Sequence, residues 1–134
     1  MLTPTLEAVR LFLHVLAATV WVGGQIVMVG LVRTSRGIGG EAPKKLAGAF
    51  ARLSWPAFGV LVVTGGWNVW AVHPATMSTA WQAVLSAKIG IVVLAGVAAY
   101  RHGRSPSTTG LAVWGSLAGL ASIVALYLGI LLAG

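Results

Sequence analysis

The chain contains no cysteine and no aspartate, and its only acidic residues are Glu7 and Glu41. Without cysteine there is no disulfide, no thiolate nucleophile and no thiolate metal ligand. A soft-metal site would have to draw on the three histidines and three methionines. Without a carboxylate in any apolar segment there is no two-metal carboxylate centre. A small proton-coupled exporter, which needs an acid within the membrane, also fits poorly. No hydrolase triad or P-loop motif is present. Charged residues make up only 8% of the 134 positions, against about 25% in soluble domains. That scarcity excludes an ordinary soluble fold and points to a lipid environment.

The charges that remain are mostly positive, giving a net +7. They are not spread as a nucleic-acid-binding face. Arg33, Arg36, Lys44, Lys45 and Arg52 lie between the first and second apolar segments, and Arg101 and Arg104 follow the third. Basic residues grouped beside apolar spans set orientation, so no nucleic-acid partner is expected. Met1 to Arg10 lacks the features of a cleaved signal peptide, and the first span is expected to stay in the mature protein.

Four segments are apolar enough to cross a hydrocarbon core that takes roughly 20 helical residues. They predict helices at about 8–33, 43–71, 81–101 and 110–133. Pro56 predicts a kink in the second, and Pro74 marks a loop from Val72 to Thr79. The expected fold is an all-α integral membrane protein: one four-helix transmembrane bundle, up-down-up-down, in a single domain. The two basic loops share a side, which the positive-inside rule makes cytoplasmic, so both termini are expected outside. The expected location is the cell's inner (plasma) membrane, with the lipid bilayer as principal partner. Gly115, Gly119 and Ser122, with Gly129, form a small-residue stripe on the last helix. Such a stripe permits close packing inside the bundle or between two copies of the chain.

The first segment, Leu11 to Val32, has no charge before its end yet contains His14, Trp21 and Gln25. With Met28 these fall on one stripe at helical spacing. Polar groups inside a span usually face protein or a cavity. On the second helix, Ser54, Ala57, Leu61, Thr64 and Asn68 form a comparable stripe. On the third, Trp81, Lys88, Ala95, Ala99 and His102 do. His14, Asn68 and Lys88 all fall in the outer half of their spans, which predicts an outward-facing polar pocket. Lys88 has no acid in any span to neutralise it, so an anionic ligand, a carbonyl, water or a lipid phosphate is its expected partner. His73 and Met77, four apart in the outer loop, offer a weak His/Met metal pair. His102, beside Arg101, reads as a solvated interface residue.

The string Leu13-His14-Val15-Leu16-Ala17-Ala18-Thr19-Val20-Trp21-Val22-Gly23-Gly24 resembles the opening of the copper-resistance protein D (CopD) domain. Arg52-Leu53-Ser54 followed by an apolar run into Thr64-Gly65 resembles that family's second helix. Leu85-Ser86-Ala87-Lys88 resembles its third. The resemblance implies an inner-membrane protein that handles or transports copper. His14, His73 and Met77 would then be ligands, Lys88, Asn68, Gln25 and Trp21 would line the pocket, and Gly23 and Gly24 would serve helix packing. His14, Trp21, Gly24 and Lys88 are also similar to the pattern of HemJ-type protoporphyrinogen oxidases, which bind haem b. Here, however, Tyr100 and His102 are separated by Arg101 and lie farther from the lysine than that family's Tyr-His pair. A haem-binding redox protein is therefore the alternative expectation, and a non-catalytic membrane accessory subunit the second. Enzymatic activity is not the favoured reading.

Overall fold

The computed structural model describes residues 3–134. Four helices in it are long and apolar enough to cross a membrane, and no strand occurs among the described residues. The first of these runs from Leu6 to Ile38 as α1 (Leu6–Ala18), a π-helical turn (Thr19–Gly23) and α2 (Gly24–Ile38). The others are α3 (Ala42–Val72), α4 (Thr79–Arg104) and α5 (Thr108–Ala133). The helices are longer than hydropathy alone predicts, because local capping extends them past the apolar runs. Thr5, Ser78 and Ser107 each accept a backbone N–H of the first turn that follows. The turn after α2 needs left-handed backbone at Gly39 (φ 82°) and Gly40 (φ 59°), which glycine adopts without a steric penalty. Pro56 lies inside α3, where it leaves the carbonyl one turn earlier without its usual N–H donor.

Two compact units result, Met1–Val72 and His73–Gly134. The first is an antiparallel hairpin of α1–α2 against α3: His14 meets Thr64, Trp21 meets Phe58 and Trp55, and a side chain at Gly24 would meet Phe50. The second is an antiparallel hairpin of α4 and α5, in which the Trp81 indole donates to Leu132 O at one end (3.1 Å) and His102 Nδ1 to Leu111 O at the other (2.8 Å).

Within the hairpins the buried surface is made mainly of small residues. Ala95, Ala98, Ala118, Ala121 and Ser122 are buried in the second, and Ala17, Ala57, Ser54 and Thr64 in the first. Small side chains let helix backbones approach closely where burial of large apolar groups supplies no driving force. Apart from Trp21 and Val22, the large apolar side chains point mostly outward: Val29 is 74% exposed, Val63 70% and Leu53 69%. Such a continuous apolar exterior suits contact with lipid.

The π-helical turn was not foreseen from the sequence. Its wider backbone brings two consecutive side chains, Trp21 and Val22, into the buried face. The Gln25 side-chain amide donates to Trp21 O (3.0 Å), and the Thr19 hydroxyl to Val15 O (2.8 Å). These bonds satisfy carbonyls in and beside the irregular turn.

Candidate functional site

The first hairpin carries a ladder of polar groups where α1 faces α3. His14 Nδ1 lies 2.8 Å from Thr64 Oγ1. The Thr64 hydroxyl proton is directed to Val60 O at 2.6 Å, so the network assigns the remaining proton to the imidazole. His14 therefore donates from Nδ1 to Thr64. The half-buried ring rests against Gly65, where an added Cβ would sit 3.5 Å from His14 Cε1. Thr64 is buried, which fixes the orientation of the imidazole from one side.

One turn toward the Leu6 end, the antiparallel register sets Arg10 against Asn68, each four residues from a member of the His14–Thr64 pair. Arg10 is only 8% exposed. Its terminal amine approaches Glu7 at 3.9 Å, a long contact to a carboxylate that is itself mostly solvent-facing and so contributes little. Arg10 Nε and Asn68 Oδ1 are buried without a hydrogen-bond partner among the described residues. An N–H donor on α1 and a carbonyl acceptor on α3, each four residues from the His14–Thr64 pair, thus remain unsatisfied, a costly arrangement unless a ligand or water completes it. The uncharged apolar run starts at Leu11, which leaves Arg10 looking like the solvated end of the span. Its spacing of four before His14 was the available signal.

Trp21 is two turns farther along, packed edge-on to Trp55 (5.5 Å between ring centroids) and tilted on Phe58 (4.6 Å). Gln25 is engaged with the Trp21 carbonyl. A side chain at Gly24 would strike Phe50, whereas Gly23 has open space beside it.

Lys88 belongs to the second hairpin. Its ammonium lies against Gly129 of α5, where an added Cβ would be 3.0 Å from Nζ. This hairpin has no Asp or Glu side chain to neutralise it. His102 is a packing residue rather than a solvated one. Its Nδ1 bonds Leu111 O, and its ring fills the space beside Gly115. Ser122 is buried and donates to Ala118 O at 2.7 Å. Gly119 lies on the same helix and is half-buried. His73 and Met77 sit in the segment that opens this unit. His73 is exposed with left-handed backbone (φ 56°), uncommon for a residue other than glycine. Its carbonyl accepts from both the backbone N–H and the hydroxyl of Thr76.

Among the described residues no group of three or more His, Asp or Glu gathers as a ready metal cage. What the first hairpin offers is a single oriented imidazole beside a buried guanidinium and an amide. No protein-family model, curated protein or solved structure matches this chain.

Proposed function

We propose that the chain is a multi-pass inner-membrane protein of CopD-like type that handles copper, with His14 as its principal ligand. The observation that carries the reading is the Thr64–His14 bond. A ring whose Nδ1–H is held by a neighbour presents Nε2 in a fixed direction, the arrangement by which metal-binding histidines are oriented. Imidazole suits copper. The resemblance of Leu13–Gly24 to the CopD opening supports the same assignment. His73 and Met77 supply an imidazole and a thioether where the ion is first captured, and Asn68 and Gln25 are supporting polar groups. The charge pattern supports cytoplasmic basic loops, both termini outside, and an up-down-up-down bundle.

The test is copper binding by the purified chain in detergent, compared with His14→Ala. Loss of the tighter binding in the variant is expected. Equal, weak binding by both proteins would remove the reading.

Arg10 favours a second reading, a haem b-binding membrane redox protein. A permanent cation one turn from the imidazole repels a bare copper ion, but it suits a cofactor with acidic side groups. The residues fit such a group in part: His14 would ligate its iron and the Arg10 Nε–H would meet a carboxylate, whereas the unsatisfied Asn68 Oδ1 is an acceptor and would pair only with a protonated carboxyl. Bound there, haem would supply one-electron chemistry. A visible spectrum separates the two readings, since a haem band lost in His14→Ala selects the second. A colourless preparation after haem supplementation rejects it.

A further inference from the structure

A cavity of about 230 Å³ opens at the Arg101 end of the second hairpin, lined by Tyr100, Arg101, Arg104, Ser105, Pro106 and Trp114. We propose that it is a binding site for a phosphate group, the headgroup of an anionic phospholipid in the adjoining leaflet. It is separate from the polar ladder of the first hairpin and independent of the metal reading.

Three observations lead there. The first is charge. Arg101 and Arg104 are three residues apart on the last turn of α4, and the unit His73–Gly134 has no acidic residue at all. Neither guanidinium can be neutralised within its own hairpin. The second is orientation. The Arg101 guanidinium carbon stands 5.8 Å from the Trp114 ring centroid, and that of Arg104 stands 5.0 Å from the Tyr100 centroid. A cation held over a ring face by its charge gives up none of its N–H donors to the ring as conventional hydrogen bonds, which leaves them for an oxyanion. The rings thus bias two long, exposed side chains toward the cavity mouth. The third is location. The cavity sits where α4 ends and α5 begins, at the limit of two membrane-capable helices. Tryptophan and tyrosine favour that depth, and phospholipid phosphates lie there. His102 stiffens this end from within by bonding Leu111 O, so the cavity rim is tied to the first turn of α5.

A free phosphate and a lipid phosphate share this chemistry. The apolar exterior below the cavity, with Val97 49% and Val113 56% exposed, selects the lipid by offering its acyl chains a surface.

The experiment is native mass spectrometry of the full chain from detergent, with phosphatidylglycerol or phosphatidylcholine of matched acyl chains. A preference for phosphatidylglycerol of about tenfold or more is expected, since each basic residue near an anionic headgroup contributes several-fold. The double variant Arg101→Gln, Arg104→Gln should lose that preference. Arg33→Gln with Arg36→Gln, the same charge change in the first hairpin, should keep it. Trp114→Leu retains both charges and should weaken it about threefold or more, which provides a second variant should the double one fail to fold. Inorganic phosphate is added in a separate arm. Failure to displace the lipid identifies the phospholipid as the ligand, whereas displacement extends the site to free phosphate. Equal binding of the two lipids by the wild-type chain, or equal loss in the first-hairpin control, overturns the proposal.

Discussion

His102 occupies the volume that any side chain at Gly115 would need: an added Cβ would lie 2.9 Å from Nδ1 and 3.0 Å from Cε1. The imidazole cannot retreat without stretching its bond to Leu111 O. Gly115→Ala should therefore destabilise the protein by about 1–3 kcal/mol, the usual cost of overpacking. Gly90→Ala, on α4 with nothing within 4 Å, should be neutral or gain up to about 1 kcal/mol from helix propensity. Thermal unfolding in detergent compares the two directly, and equal shifts would contradict the packing argument.

Neighbouring glycines in the first hairpin should behave differently as well. A Cβ at Gly24 would reach within 2.5 Å of Phe50 Cε2, whereas Gly23 has nothing within 4 Å. Gly24→Ala should cost about 1 kcal/mol or more, less than a rigid clash because the Phe50 ring can turn. Gly23→Ala should leave the melting temperature near that of the wild type.

Removing the Lys88 charge should not weaken the fold. Its ammonium faces Gly129 in a hairpin without Asp or Glu, and a cation at membrane depth opposes burial. Lys88→Met should melt at the same temperature or higher. A clear drop would mean that the ammonium has a structural partner.

Thr64 should matter for binding more than its distance from any ligand suggests. Thr64→Val removes the oxygen that accepts from His14 Nδ1 while preserving shape. Copper or haem affinity should fall about tenfold or more, the scale on which loss of an orienting partner acts. Thr64→Ser should restore most of it. Titration of the three proteins side by side is the measurement, and an unchanged affinity in Thr64→Val would detach the bond from function.

Much of the fold is legible because two signals, apolar length and helical spacing, run through most of the sequence. Apolar length gave four membrane-capable helices, with ends displaced only by caps. Helical spacing also picked the inward faces. On α3, Ser54, Ala57 and Thr64 are buried. On α4, Trp81, Lys88 and His102 all meet α5, and Ala95 is 2% exposed. Spacing does not say what a stripe will meet, however. Lys88 reads as a ligand-seeking cation, and spacing alone does not show that its ammonium lies beside Gly129 of the next helix. His102 read as wet because it sits among charges, yet it is held by a carbonyl of the next helix. Arg10 was missed because a charged residue looks like the end of a span. An arginine can bury its stem and guanidinium along a helix while its terminal nitrogens reach toward the rim. The π-helical turn left no trace in hydropathy, since Thr19–Gly23 is as apolar as its surroundings.

That turn has a consequence for how the first long helix can change over time. An ordinary helix advances about 100° per residue, so altering the phase of one part rotates everything beyond it. A single wide turn absorbs one residue and uncouples the two sides. The half bearing Arg10 and His14 and the half that carries Gly24 toward Phe50 can each be tuned in azimuth without disturbing the other. Deleting one residue between Thr19 and Gly23 would turn the wide turn into ordinary helix, and the His14–Thr64 bond should survive while Trp21 and Val22 no longer share the buried face.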